Sequence, residues 1–319
     1  MRRREFILLI GGVASVCPLA TRAQQASTSV VGFLSSRSPS ESSGLVDSFR
    51  KGLRQMGFVE GQNVNIAFRW ADGRYERLPV LASELVDLPV AVLFAAGGTP
   101  AALAAKAATS TIPVVFLTTD PVGLGLVASL SHPGGNLTGI CNLASDLPSK
   151  STELLKQLMP AANVIAYLVN PTNPSSAAHA RQASLAANAL SVEFRVINAG
   201  TSQELADGFA ELAKRRIIAL GVMADAFLDS QRERIVALSV QNGIAGCYPW
   251  RDYVLAGGMM ATGRTCRTPI GRPPSTWDEF FAAKSLLTCR SCSLQESSWC
   301  LISRRPRHWV SPSHLRSSP

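Results

Sequence analysis

The chain has 319 residues, of which 46% are hydrophobic and 17% charged. This is enough apolar material for two packed domains and excludes wholesale disorder. The net charge of +9 comes from the two ends: four arginines against one glutamate in residues 1–23, and nine basic against three acidic residues in 264–319, with eighteen of each sign between. Because a nucleic-acid binder needs cations clustered on its folded surface, the neutral body excludes nucleic acid as a partner.

The first 23 residues have the three parts of an export signal. Residues 2–4 are arginines, residues 6–19 form a mostly apolar stretch, and Ala23 precedes a cleavage point before Gln24. The apolar stretch is shorter than the ~20 residues that a membrane span needs. We therefore predict a periplasmic protein whose signal at 1–23 is cleaved near Ala23, by general secretion or the twin-arginine route. The alternative is a disordered cytoplasmic leader.

Beyond the signal, apolar runs alternate with amphipathic stretches, which is typical of parallel strands covered by helices. The predicted strands are 30–34, 63–70, 90–95, 113–117, 164–169, 193–197, 217–223 and 244–248. The predicted helices are 45–56, 77–88, 101–109, 149–158, 175–190, 202–214 and 229–241. Two successive rounds of this pattern predict an α/β protein with two similar lobes, each a parallel sheet flanked by helices, at 28–140 and 141–255.

Polar and aromatic residues gather where the predicted strands end. They are Ser35, Ser36, Gly98, Thr99, Thr119, Asp120, Asn170, Asp225, Tyr248 and Trp250. In open α/β sheets ligands bind outside the carboxyl ends of the strands, where free N–H groups of helices attract anions. Two facing lobes would thus line a cleft for a small solute. Each of these residues could also be an ordinary cap or turn residue.

The sequence lacks the motifs of common hydrolases, phosphate-binding loops and zinc proteases. His132 and His179 are predicted to be solvated surface residues rather than catalytic bases. Cys289 and Cys292 have a zinc-like spacing but lack a second pair, so no metal site is predicted. We expect no cofactor and no enzyme activity, although an α/β enzyme acting on a small metabolite remains an alternative.

Several short motifs together resemble the ABC-transporter substrate-binding family that includes tryptophan- and tyrosine-binding lipoproteins. The resemblance runs from about residue 28 to 262. Its motifs are the stretches 30–36, 57–64 (GFVEGQNV), 73–75 (GRY), 77–79 (RLP), 97–102 (GGTPAA), 120–122 (DPV), 133–139 (PGGNLTG) and 256–258 (AGG).

This resemblance implies a type I periplasmic-binding fold and a monomer whose lobes close on a small solute, such as an amino acid, and present it to an ABC permease in the inner membrane. By position, Thr99 and the N–H groups around it would hold a carboxylate. Asp120 or Asp225 would hold an ammonium group. Tyr248 or Trp250 would stack on an apolar side chain.

After Thr262 the family pattern stops, and residues 263–319 are predicted to be an aberrant, basic, disordered tail. Suitable synonymous codons for 276–290, read in another frame, give Val-Gly-Arg-Ile-Leu-Arg-Gly-Glu-Lys-Pro-Ala-Asp-Leu-Pro, which resembles the family in this region. We therefore predict a frameshift near Gly263. It raises a further alternative, a defective family member without working activity.

Overall fold

The structure, a computed structural model, describes residues 28–142 and 146–262, together with the backbone of 299–302. The predicted export signal at 1–23 lies outside the described residues. So does the predicted tail at 263–319, with its proposed frameshift and its cysteine pair, except for the four residues of one strand.

The first lobe is built on a six-stranded sheet. Its strands are β1 (Ser29–Ser35), β2 (Val64–Trp70), β3 (Val90–Ala95), β4 (Val114–Thr118), β5 (Leu137–Asn142) and β11 (Trp299–Ile302). Its helices are α1 (Ser43–Gln55), α2 (Leu78–Val86) and α3 (Thr99–Ala108), with a 3-10 turn at Tyr75–Arg77 before α2. The five strands β1 to β5 are parallel, and β11 lies antiparallel to β5 at the edge.

The second lobe is built on a five-stranded parallel sheet. Its strands are β6 (Val164–Val169), β7 (Glu193–Asn198), β8 (Ala219–Val222), β9 (Ala245–Tyr248) and β10 (Met260–Ala261). Its helices are α4 (Leu147–Leu158), α5 (Ser176–Ala189), α6 (Ser202–Lys214), α7 (Ala226–Ser230), α8 (Arg232–Gln241) and α9 (Arg251–Leu255).

The two sheets have the same strand order. The first reads β2-β1-β3-β4-β5 and the second β7-β6-β8-β9-β10, so each repeats the doubly wound order 2-1-3-4-5. This confirms the prediction of two similar α/β lobes. In each sheet the order reverses beside its first strand, which places a crevice between the ends of β1 and β3 and another between the ends of β6 and β8.

Local sequence explains the main elements. Helix α1 buries Val46, Phe49 and Leu53, which recur at helical spacing on one face. Helix α6 begins in a capping box, in which the Thr201 hydroxyl accepts from the backbone N–H of Glu204 while the Glu204 carboxylate accepts from that of Thr201. Among the described residues, none of the helices has both the length and the hydropathy needed to cross a bilayer.

Five short strands and helices were not predicted from the sequence: β5, α7, α9, β10 and β11. For residues 299–302 the prediction of a disordered tail is wrong, because they pair with β5 as an edge strand. Strand β5 contains the polar residues Thr138 and Asn142 and directly follows a Gly-Gly-Asn turn. Its sequence pattern is therefore closer to that of a loop than to that of a buried strand. Helix α7 is a separate helix of five residues, and the predicted helix 229–241 therefore begins only at Arg232.

Candidate functional site

The crevice of the first lobe lies between the ends of β1 and β3. The Ser36 hydroxyl, which follows β1, donates to the carbonyl of Gly97, which follows β3. A Cβ atom at Gly97 would overlap the backbone nitrogen of Ser36, so this approach requires glycine. Gly98 has φ of +86°, a conformation that also favours glycine, and it leads directly into α3.

Thr99 stands at the first turn of α3 and is only 5% exposed. Its Oγ1 lies 2.7 Å from the Thr118 Oγ1 and accepts a hydrogen bond from the Ser175 hydroxyl of the second lobe at 2.9 Å. The first N–H groups of a helix have no partner within the helix and favour a negatively charged group. This end of α3 therefore offers a hydroxyl and backbone N–H groups to an anion in the cleft.

The crevice of the second lobe is centred on Asp225, which follows β8 and is 2% exposed. Its carboxylate accepts from the Asn170 side chain at 3.2 and 3.3 Å, from the Asn173 side chain at 2.9 Å and from the backbone N–H of Leu228 at 3.0 Å. Tyr75 of the first lobe donates a further hydrogen bond from its hydroxyl, at 2.6 Å. Asp225 thus caps α7 and connects the two lobes.

A second contact across the cleft joins Arg37 to Asp229, with Nη2 and Oδ2 2.6 Å apart. Asp229 also accepts from the Trp250 indole N–H at 3.0 Å and from the Tyr253 hydroxyl at 3.0 Å. Burial raises the pKa of the Asp229 carboxyl to about 6, against the opposing effect of the Arg37 cation. The same burial, together with the nearby carboxylate, raises the pKa of the Tyr253 hydroxyl well above its usual value.

A pocket opens beside this ion pair. It is lined by charged residues of both lobes and by aromatic residues of the second lobe: Arg37, Glu41, Asp229, Arg232, Trp250, Asp252 and Tyr253. Glu41 and Arg232 approach each other across it at 3.6 Å. The cleft therefore has a polar centre around Thr99 and Asp225 and a charged, partly aromatic region around Trp250.

Of the predicted site residues, the structure brings one set to the facing crevices and the cleft. This set consists of Ser36, Gly98, Thr99, Asn170, Asp225 and Trp250. All except Trp250 follow the strands that flank the reversal of strand order in their sheet. Trp250 reaches the cleft through its hydrogen bond to Asp229.

The structure does not bring the other four predicted residues to these contacts. The Ser35 hydroxyl accepts from the backbone N–H of Arg37 within its own loop. The Thr119 carbonyl accepts from the Cys141 thiol. Asp120 is exposed, and its Oδ1 accepts from the backbone N–H of Gly123, three residues further on in the same turn, at 2.8 Å.

Tyr248 is 1% exposed and lies in the core of the second lobe, where its ring stacks on that of Tyr253 with centroids 4.9 Å apart. It was predicted as a residue that stacks on a ligand, but its ring packs against protein. The physical reason is that Tyr248 still belongs to β9, a strand buried at all four positions, whereas Trp250 follows the strand and precedes α9. For Asp120 the reason is the strand order, because β4 lies one strand beyond the crevice.

Four residues of the pocket lining were not predicted: Glu41, Arg232, Asp252 and Tyr253. Among the residues that bridge or surround the two crevices, five more were not predicted: Arg37, Tyr75, Asn173, Ser175 and Asp229. One had a usable signal. Asp229 follows Asp225 by four residues, which places the two carboxylates on the same face of a helical turn. The others reach their partners only through the meeting of the lobes or through the loop after β6.

The prediction that His179 is a solvated surface residue is wrong. It is half-buried on α5, its Nδ1 is buried without a hydrogen-bond partner, and burial lowers the pKa of its imidazole. His132 is exposed, as predicted. Within the described part of the chain, no group of three or more His, Cys, Asp or Glu side chains is placed to hold a metal ion.

Comparison with solved structures finds the same fold. A crystal structure of a conserved domain protein from Vibrio cholerae matches with a TM-score of 0.72 and 23% identity, covering 81% of this chain and 86% of that one. A crystal structure of an ABC domain in complex with L-Trp from Streptococcus pneumoniae matches with a TM-score of 0.68 and 22% identity, covering 76% and 80%. Both chains share the type I periplasmic-binding architecture.

Sequence comparison gives a more specific result. The tyrosine-binding protein of Clostridioides difficile strain R20291 is 36% identical over 129 residues. That alignment spans 40% of this chain and 36% of the relative, little more than a third of the relative's length. A family model described as ABC transporter substrate binding protein matches residues 30–265. The chain therefore belongs to the ABC transporter substrate-binding protein family.

Proposed function

We propose that this protein is the exported, periplasmic solute-binding component of an ABC importer, and that it binds an amino acid in the cleft between its lobes. Members of the family bind small-molecule solutes and work with ABC permeases; they are not enzymes. The proposal adds the direction of transport, the location and the chemical class of the solute.

The observation that carries the proposal is the pairing of two different polar centres across the cleft. Thr99 and the start of α3 offer a hydroxyl and N–H groups, which suit a carboxylate. Asp225 offers a buried carboxylate, which suits an ammonium group. An amino acid carries both groups on one carbon atom, so it can satisfy both lobes at once.

The remaining cleft residues have supporting roles in this proposal. Asn170 orients the Asp225 carboxylate through its side-chain amide. Ser36 and Gly98 shape the loop before α3. Trp250, half-buried beside Asp229, offers an aromatic surface to the apolar part of the solute.

The choice of probe follows from the relatives. One solved neighbour holds L-Trp and one sequence relative is a tyrosine-binding protein. L-tryptophan and L-tyrosine are therefore the first solutes to test, by titration calorimetry and by thermal unfolding with and without the solute. Binding to the folded state alone stabilises it by RT ln(1 + [L]/Kd), so the melting temperature rises with the logarithm of ligand concentration once the ligand exceeds Kd.

Two variants sharpen the experiment. Asp225→Asn removes the proposed ammonium partner, and we expect binding at least about tenfold weaker, since a hydrogen bond to a charged group is worth ~1.5–3 kcal/mol. Asp47→Asn is the matched control, because Asp47 is exposed on α1. Equal affinity of the two variants for L-tryptophan or L-tyrosine would contradict the proposed site. Recovery of a chemically altered solute would contradict the proposed class of function.

A further inference from the structure

Tyr75 joins the lobes through a single hydroxyl group. Tyr75 is the first residue of the 3-10 turn after β2, and its ring packs against the core of the first lobe. The hydroxyl donates to Asp225 Oδ2 at 2.6 Å and accepts from the backbone N–H of Ala226 at 3.2 Å. Both partners belong to the second lobe and stand 150 and 151 residues further along the chain.

The Asp225 carboxylate has no acceptor site left in this arrangement. A carboxylate offers about four lone-pair positions. Asn170, Asn173, Leu228 and Tyr75 supply five hydrogen bonds of 2.6–3.3 Å to its two oxygens. A cationic group of a solute can therefore bind Asp225 only if one of these donors leaves.

Three of the four donors are held within the second lobe. Oδ1 of Asn170 and of Asn173 each accepts from a nearby backbone N–H, and the Leu228 N–H belongs to α7. Only Tyr75 belongs to the first lobe. Tyr75 is fixed to the first lobe, so it withdraws when the lobes move apart. Burial and the neighbouring carboxylate raise the pKa of the Tyr75 hydroxyl well above its usual value, so it stays protonated and remains a donor throughout the physiological range.

We infer that Tyr75 is an affinity-determining residue of the cleft: its hydroxyl occupies the acceptor position on Asp225 that the ammonium group of a solute takes, and it competes with that group. This inference rests on the proposed function of the cleft. A contact that closes the lobes without solute lowers the apparent affinity, because part of the protein is then held in a form that cannot accept the ammonium group.

The competition is selective by chemical class. A solute with an ammonium group has to displace the Tyr75 hydroxyl, and it then replaces that donor. A solute with only a carboxylate leaves the hydroxyl in place, so Asp225 keeps its donors. Removal of the hydroxyl should thus strengthen the binding of the ammonium-bearing solute. It should weaken the binding of the solute that has only a carboxylate, or leave it unchanged.

The test is the Tyr75→Phe variant of the full chain, which keeps the ring in the core and removes only the hydroxyl. Tyr167→Phe is the matched control, because Tyr167 lies on β6 within the core of the second lobe. The probes are L-tryptophan and indole-3-propionate, which lacks the ammonium group. We expect Tyr75→Phe to bind L-tryptophan about tenfold more tightly than wild type, with its preference over indole-3-propionate raised by at least the same factor. The control should match wild type.

Small-angle scattering of the protein without added solute provides an independent measurement. We expect a larger radius of gyration for Tyr75→Phe than for wild type and the control, because the lobes lose a bridge. Weaker or unchanged binding of L-tryptophan by Tyr75→Phe would overturn the inference. If neither probe binds any form, the proposed function fails, and the scattering then tests the bridge alone: an unchanged radius overturns the bridging role of Tyr75, whereas an increased radius supports that bridge without a competing solute.

Discussion

Arg37 and Asp229 form an ion pair across the cleft in which both side chains are largely buried, 14% and 5% exposed. Arg37 follows the first strand of one lobe, and Asp229 lies in α7 of the other. Removing charges from water has a large cost, and here the cost outweighs the attraction, since the pKa of Asp229 is raised to about 6 despite the adjacent guanidinium. The pair therefore holds a specific arrangement of the lobes more than it stabilises the fold.

This pair predicts a pH dependence of stability. An unfolded aspartate has a pKa of about 3.9, so between about pH 4 and pH 6 the folded protein binds more protons at Asp229 than the unfolded chain does. The stability from this group is present below pH 4 and lost as the pH rises through 6. Relative to Asp229→Asn, the wild type should lose roughly 2–3 kcal/mol of unfolding free energy between pH 4 and pH 7.

Denaturant titrations of both forms at several pH values measure this difference. Asp47→Asn serves as the control, since an exposed carboxylate on α1 should leave the pH profile as in wild type. A difference between wild type and Asp229→Asn that stays constant, or grows as the pH rises, would show that the Arg37 cation dominates the environment of Asp229.

Thr99→Val tests the proposed carboxylate end of the site. The substitution keeps the shape of the side chain but removes the hydroxyl that contacts Thr118 and Ser175. We expect L-tryptophan to bind about tenfold more weakly and the protein to lose ~1–3 kcal/mol of stability, because two buried hydroxyls lose a partner. Thr111→Val, at an exposed loop position, is the control for calorimetry and unfolding. Unaltered binding by Thr99→Val would remove Thr99 from the site.

Gly97→Ala tests whether the loop before α3 depends on close backbone approach. The added methyl group would overlap the backbone nitrogen of Ser36, so the loop must shift, and we expect a loss of ~1–3 kcal/mol together with weaker binding. Gly52→Ala is a matched substitution with the opposite expectation. It lies within α1 with nothing within 4 Å of the new methyl group, so it should stabilise by up to ~1 kcal/mol. Equal melting temperatures for the two variants would contradict the packing argument.

Much of the fold could be predicted from the sequence because its strands and helices carry strong local signals. The apolar runs of β3 and β6 and the polar-apolar pattern of α6 gave their bounds without error. The ends of those strands also pointed to Thr99 and Asn170, since a polar residue that follows a buried strand lies at the edge of the sheet.

The rest of the site could not be predicted, because neither spacing nor composition encodes which strand ends are neighbours. Asp120 satisfies the same local rule as Thr99 and Asp225, and only the strand order separates it from them. The bridge from Tyr75 to Asp225 joins residues 150 positions apart, and no local pattern marks such a pair.

The last prediction concerns the chain beyond Thr262. The family match ends at residue 265, and the apolar residues Leu255 and Met259, just before that point, are 72% and 51% exposed. A continuation that packs on this part of the second lobe would cover such surface. If it buries even ~500 Å² of apolar area, it adds on the order of 12 kcal/mol before conformational entropy is subtracted.

We therefore expect a chain in which residues 264–319 are replaced by the sequence of the alternate reading frame to melt at least about 10 °C higher than the present chain. Differential scanning calorimetry of both chains measures this shift in melting temperature. A chain ending at Thr262 is the control, because it separates the effect of adding the alternate-frame segment from the effect of removing residues 263–319. Equal melting temperatures for the replaced and shortened chains would contradict a packing role for the continuation. Stop codons in the alternate frame of the coding DNA would contradict the frameshift itself.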